Sequence, residues 1–197
     1  MNAVHPSMPD TMTAPRSPTV AGDGRRYHPA LVVLHWLLAV LLAFMLSMGG
    51  MVLPYIPHDS PDKIGALQGH MIVGAAILVL TLLRMIVRWR THRPSASPTG
   101  RERADRIAVW MHRALYVAVM AMVASGFALS ISSGLGQIVF GGVGSLPVTF
   151  DAFPARAVHG AVSKIFLALV VAHVGAVLYH HWVRKDGLLR RMGLGRR

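Results

Sequence analysis

The chain has 197 residues, 53% hydrophobic and 14% charged, with a mean hydropathy of +0.48, a composition from which a water-soluble surface is hard to assemble. Its formal charge of +12 would suggest a nucleic-acid partner in a soluble protein, but no basic face carries interleaved aromatics for base stacking, so no nucleic-acid role is expected. There is no cysteine, which excludes disulfides, iron–sulfur ligation and thiolate haem ligands.

Residues 1–26, "MNAVHPSMPDTMTAPRSPTVAGDGRR", are rich in Pro, Ser, Thr and Gly and lack an apolar core; they read as a disordered cytoplasmic tail and not as a signal peptide. Four apolar segments follow, near 30–53, 66–88, 107–132 and 157–183, each long enough to cross a bilayer core of about 30 Å, which takes about 20 helical residues. The first, containing "LVVLHWLLAVLLAFMLSMGGMVL", has almost no polar stripe, unlike a helix of a soluble bundle. The runs are too long and too little alternating for a barrel of strands, and in lipid a helix satisfies its own backbone.

A short proline-broken loop, "PYIPHDSPDKIG", precedes the second span, which starts near "LQGHMIVG" and ends in "LLRMIVRWR". The link "RWRTHRPSASPTGRERADR" leads into "ADRIAVWMHRALYV", the start of the third span. A glycine-rich loop, "SSGLGQIVFGGVGSLPVTFDAFPAR", precedes the fourth; it is expected to lie on the membrane surface, with a lid as the alternative. Without an internal repeat, residues 27–192 form one all-α membrane domain, a four-helix bundle, and 193–197 a basic C-terminal tail.

Of twenty Lys and Arg, only Lys63, Arg156 and Lys164 fall toward the other side; the rest lie in the N-terminal tail, the link with its adjoining span ends, and the C-terminal tail. The positive-inside rule then places both termini in the cytoplasm, and the basic segments would also attract anionic membrane lipid.

Ionisable groups within a span are costly and therefore carry functional hypotheses. His35, His70, His112, His159, His173 and His180 all fall in spans. In "HGAVSKIFLALVVAH", His159 and His173 are fourteen positions apart. That separation returns to within about 40° of one helix face and parts the rings by about 21 Å along the axis. Following the chain up and down, His35 shares a depth with His173 in the inner leaflet, and His70 shares one with His159 at the outer side. Paired imidazoles from neighbouring helices can ligate one iron from both faces of a haem, closing it to oxygen and suiting it to electron transfer. Two such haems, one above the other, would form a wire across the membrane. Zinc would want three or four ligands at one depth, and a proton relay would want intermediate carboxylates, of which the spans contain none. A histidine relay or metal transporter stays open as the alternative.

"LHW" in the first span, "GHMIVG" opening the second, the two histidines fourteen apart in the fourth and the closing "YHHWVRKDGLLRRM" together resemble the bacterial cytochrome b561 family. The similarity is greatest to small four-helix members identified as superoxide oxidases, and it covers about residues 27–192. The resemblance implies a bacterial inner-membrane protein with two haems b and with His35, His70, His159 and His173 as axial ligands. It further implies that superoxide is oxidised at the periplasmic face and ubiquinone reduced in the membrane.

Other residues take positions around those sites. His180, seven residues after His173, could donate to a quinone carbonyl or be solvated at the interface; His181 points about 100° away. His112 could line the quinone pocket, bond a propionate, or replace His35 as ligand. Arg84, fourteen residues beyond His70, could clamp a propionate of the inner haem or snorkel to headgroups. Gly69, Gly74, Gly126 and Gly160 would let a macrocycle approach the backbone, or serve helix packing. Arg156, nearly one turn before His159, is the best placed cation for steering superoxide, whereas Lys164 is about 140° from His159. The outer side is nonetheless balanced, Lys63, Arg156 and Lys164 facing Asp59, Asp62 and Asp151. The rival function is an electron-carrier subunit, with the same haems wired to a periplasmic redox partner protein.

Overall fold

Proline and short polar caps set where the helices start. In the computed structural model, which describes residues 27–91, 102–185, 189, 192 and 193, the first helix, α1 (Pro29–Ser47), has proline at its first position. His28 caps it, Nδ1 accepting from Ala30 N at 3.3 Å. A π turn over Met48–Val52 and a 3-10 turn over Leu53–Tyr55 complete that span. The tail expected over 1–26 lies outside the described residues, as does nearly all of the C-terminal tail.

Helix α2 (Pro61–Arg90) begins five residues before the apolar run suggests, because Ser60 accepts from Asp62 N at 3.2 Å and Pro61 and Asp62 suit a first turn. Helix α3 runs from Glu102 to Ser132. The glycine-rich loop contains a short helix, α4 (Leu135–Gly141), bracketed by Gly134 at φ +67° and Gly142 at φ +64°, left-handed conformations that favour glycine. Leu135 and Val139 bury α4 against the bundle. Helix α5 (Pro154–Tyr179) ends in a π turn over His180–Arg184.

Four helical spans of 27 to 31 residues are long and apolar enough to cross a membrane, and no strand occurs among the described residues. They alternate in direction: the later part of α3 meets the start of α5 through Ser125 and His159, and the later part of α2 meets the middle of α3 through Arg84 and Tyr116. The principal packing pairs are α3 with α5 and α1 with α2. Large apolar side chains such as Val33, Val40, Val79 and Val171 point outward, as suits a bundle whose solvent is lipid. The centre is a small cluster of Leu38, Ile77, Ala118, Val119 and Phe166, with a contribution from every span.

Candidate functional site

Seven residues of α-helix turn through about 700°, so positions seven apart share a face within about 20° and differ in height by about 10 Å. Four such stripes line the bundle axis. They are Lys63, His70, Ile77 and Arg84 on α2; His159, Phe166 and His173 on α5; His35 and Leu42 on α1 with Gly49 in the π turn that follows it; and His112, Val119 and Gly126 on α3. Together they form two histidine levels separated by an apolar layer, in which Ile77 is 3% and Phe166 2% exposed. The level nearer the α1–α2 and α3–α5 connections is the loop end; the other is the terminal end.

At the loop end the rings of His70 and His159 have centroids 6.3 Å apart and planes 70° apart. Glycine makes room behind each ring. A Cβ on Gly49 would stand 3.3 Å from His70 Cε1, and one on Gly126 would stand 3.4 Å from His159 Cε1. Ser125 donates its hydroxyl to Met122 O at 3.0 Å, and its Oγ lies 2.9 Å from His159 Nδ1. With the only hydroxyl proton engaged, Nδ1–H is the donor, which leaves the lone pair on Nε2. Buried His70 Nδ1 has no protein partner, so the chain leaves hydrogen-bonding capacity unused there. Both rings line a cavity of about 1050 Å³ that also touches Gly49, Gly126, Ile77 and Phe166. That is at the top of the roughly 300–1,000 Å³ range of ligand and cofactor pockets.

At the terminal end His35 and His173 have ring centroids 6.4 Å apart and planes 75° apart. His112 comes closer to His173, at 5.3 Å, and its Nδ1–H donates to Ala108 O at 2.6 Å. Arg84 does not snorkel outward: Nη1 donates to the Tyr116 hydroxyl, and Cζ stands 5.5 Å from the centre of that ring. Its Nε is buried without a protein partner, and the guanidinium is within electrostatic reach of His35 and His173.

Of the remaining expected residues, His180 opens the π turn with its ring 6.0 Å from that of Tyr179, and His181 packs toward Trp182. Arg156 lies along Gly160, where a Cβ would be 3.3 Å from its Nη1, and is within electrostatic reach of His159. With Asp151 and Lys164 it lines an open basin of about 610 Å³ at the loop end. Gly69 faces open space and Gly74 only the tip of Met45, so neither makes room for a histidine ring as Gly126 does.

The sequence profile of prokaryotic cytochrome b561 matches residues 26–195. The chain belongs to the prokaryotic cytochrome b561 family. It is 29% identical over 171 residues to "Cytochrome b561 homolog 1" of Escherichia coli (strain K12), covering 85% of this chain and 96% of that one. To "Probable superoxide oxidase CybB" of Yersinia pestis it is 27% identical, over 85% and 96% of the two chains, and to "Cytochrome b562" of Cereibacter sphaeroides 28%, over 82% and 90%. As a cytochrome b561 the chain is a multi-pass bacterial membrane protein of electron transfer, and haem b is the cofactor that membership implies.

The residues fit that group. Two imidazoles on opposite sides of one metal, with metal–nitrogen bonds of about 2 Å, hold their ring centroids about 6 Å apart. The two level-matched pairs have that separation, whereas His112 and His173 at 5.3 Å are too close. Among the described residues no group of three or more His, Asp or Glu converges as a bare metal site would require.

Lys63 is the cytochrome b561 residue that the charge count misreads. It is 5% exposed, with Nζ donating to Leu53 O at 2.6 Å and Ile56 O at 2.9 Å, so it is no surface charge. The signal that finds it is its place seven residues before His70. Gly49, fourteen after His35, could be found in the same way.

Proposed function

We propose that this chain is an inner-membrane cytochrome with two haems b that oxidises superoxide at the periplasmic face and reduces ubiquinone in the membrane. His70 and His159 hold the outer haem, His35 and His173 the inner one, and both chain termini lie in the cytoplasm. The observation that carries the reading is the pair of histidine couples, equally spaced at 6.3 and 6.4 Å on two levels of the same bundle.

Each haem, held by its two histidines, would supply a one-electron iron couple. The chain's own residues provide the rest. Glycines 49 and 126 seat the outer imidazoles, and Ser125 holds His159 with Nε2 available. The half-buried Arg156 beside His159 attracts an anion to the periplasmic mouth, partly opposed by Asp151. Near the cytoplasmic face His180 donates to a quinone carbonyl. His112, with Nδ1–H committed to Ala108, offers Nε2 as an acceptor for a quinol hydroxyl. Two superoxide anions, one ubiquinone and two cytoplasmic protons give two dioxygen molecules and one ubiquinol. The name of the Yersinia pestis relative, a probable superoxide oxidase, supports this choice of donor.

Stopped-flow mixing of superoxide with the oxidised protein in detergent tests it. Rapid haem reduction, continuing to ubiquinol when ubiquinone is added, is the expected result. Reduction only when a periplasmic redox protein is present would overturn the reading in favour of an electron-carrier subunit.

A further inference from the structure

Lys63 is an ammonium in an unusual place. The residue is 5% exposed, in the first turn of α2, where the helix dipole favours acids over bases. Among the described residues no carboxylate pairs with it; its partners are the carbonyls of Leu53 and Ile56. Two bonds to neutral acceptors leave the third N–H unused and the charge uncompensated, and a buried cation in that state is costly. Lys63 lines the same cavity as His70 and His159. It stands seven residues before His70, on the same face of α2 within about 20° and about 10 Å nearer the loop end. That rise is comparable with the reach from the centre of a porphyrin to its propionate carboxylates.

We propose that Lys63 is the propionate anchor of the outer haem, its free N–H donating to a haem carboxylate while the Leu53 and Ile56 carbonyls aim the ammonium into the cavity. The proposal rests on the two-haem reading and adds a binding residue to it. Arg84, three steps of seven from Lys63 along the same stripe and with Nε unpartnered, is the cation at the inner histidine level itself. Asp151 and His58 also touch the cavity, but neither bonds Lys63.

The test is potentiometric titration of the full haem-loaded chain in detergent, with haem content measured in parallel. The outer haem is the wave that disappears in His70→Ala. Lys63→Gln keeps donors for the two carbonyls and removes the charge; Lys63→Arg keeps both. Removing a cation beside the haem favours the oxidised form, so Lys63→Gln should move the outer wave to lower potential and leave the inner wave in place. Lys164→Gln, which removes an exposed cation from the same cavity rim, should move it less. Selective loss of the outer haem from Lys63→Gln, with retention by Lys63→Arg, would equally support the anchor. An outer wave unmoved in Lys63→Gln, a shift no larger than that of Lys164→Gln, loss of the outer haem from both Lys63 variants, or loss of both haems from Lys63→Gln would overturn it. A wild-type chain that binds no haem would instead refute the two-haem reading itself.

Discussion

Ser125 Oγ stands 2.9 Å from Nδ1 of His159, and its hydroxyl donates a hydrogen bond to the Met122 carbonyl. The imidazole is thereby held as the tautomer whose Nε2 carries the lone pair. Ser125→Ala frees the ring and leaves a donor unpaired. Affinity for the outer haem should fall by about 10- to 100-fold, the usual effect of removing a hydrogen bond behind a metal-bound histidine. Haem titration of the variant, followed by its reduced-minus-oxidised spectrum, would show one weak and one unaltered site.

At the terminal end, geometry separates two candidate partners of His173. His35 is 6.4 Å away, ring centre to ring centre, and His112 is 5.3 Å away with its Nδ1 tied to Ala108 O. His35→Ala should therefore yield protein with one haem per chain, and His112→Ala should retain two. Haem-to-protein ratios measure both. One haem in His112→Ala together with two in His35→Ala would exchange their roles.

Gly49 and Gly50 are neighbours in the π turn after α1 but meet different surroundings. A Cβ on Gly49 would press on His70 Cε1 at 3.3 Å, whereas one on Gly50 meets nothing within 4 Å. Gly49→Val should displace His70 and destabilise the fold by about 1–3 kcal/mol through overpacking. Gly50→Ala should be neutral. Thermal unfolding in detergent, read at the haem absorption band, distinguishes them.

His180 sits beyond the last full turn of α5, outside the two histidine levels. His180→Ala should keep both haems with unchanged spectra. Quinol formation should slow by up to about tenfold, one hydrogen bond of about 0.5–1.5 kcal/mol being lost to the quinone. Ubiquinone reduction by pre-reduced protein measures this, and loss of a haem would make His180 a ligand.

The architecture was readable in the chain because lipid permits few solutions: apolar runs of sufficient length become helices, and histidines seven or fourteen apart share a face. The spacing of His159 and His173 predicts two levels, and the pairing of His70 with His159 and of His35 with His173 follows from depth alone. What stays hidden depends on contacts across helices or on turn geometry. Lys63 reads as a surface charge because its acceptors, Leu53 O and Ile56 O, lie in a turn whose shape no periodicity reports. Gly49 and Gly126 look like any small residues of a packed span until His70 and His159 are placed against them. Helix α4 is too short for a periodic pattern, and its glycine borders mask it as loop. Arg84 could point either way along its helix; the Tyr116 hydroxyl, on another helix, turns it inward.

The central claim is that two histidine pairs each grip one haem b. Electron paramagnetic resonance of the oxidised, purified chain, combined with haem quantification, tests it most directly. Two haems per chain, both low-spin with two nitrogen axial ligands, is the predicted result, falling to one in His70→Ala and in His35→Ala. A single haem in the wild-type chain, or a high-spin signal from an iron with an open position, would contradict it.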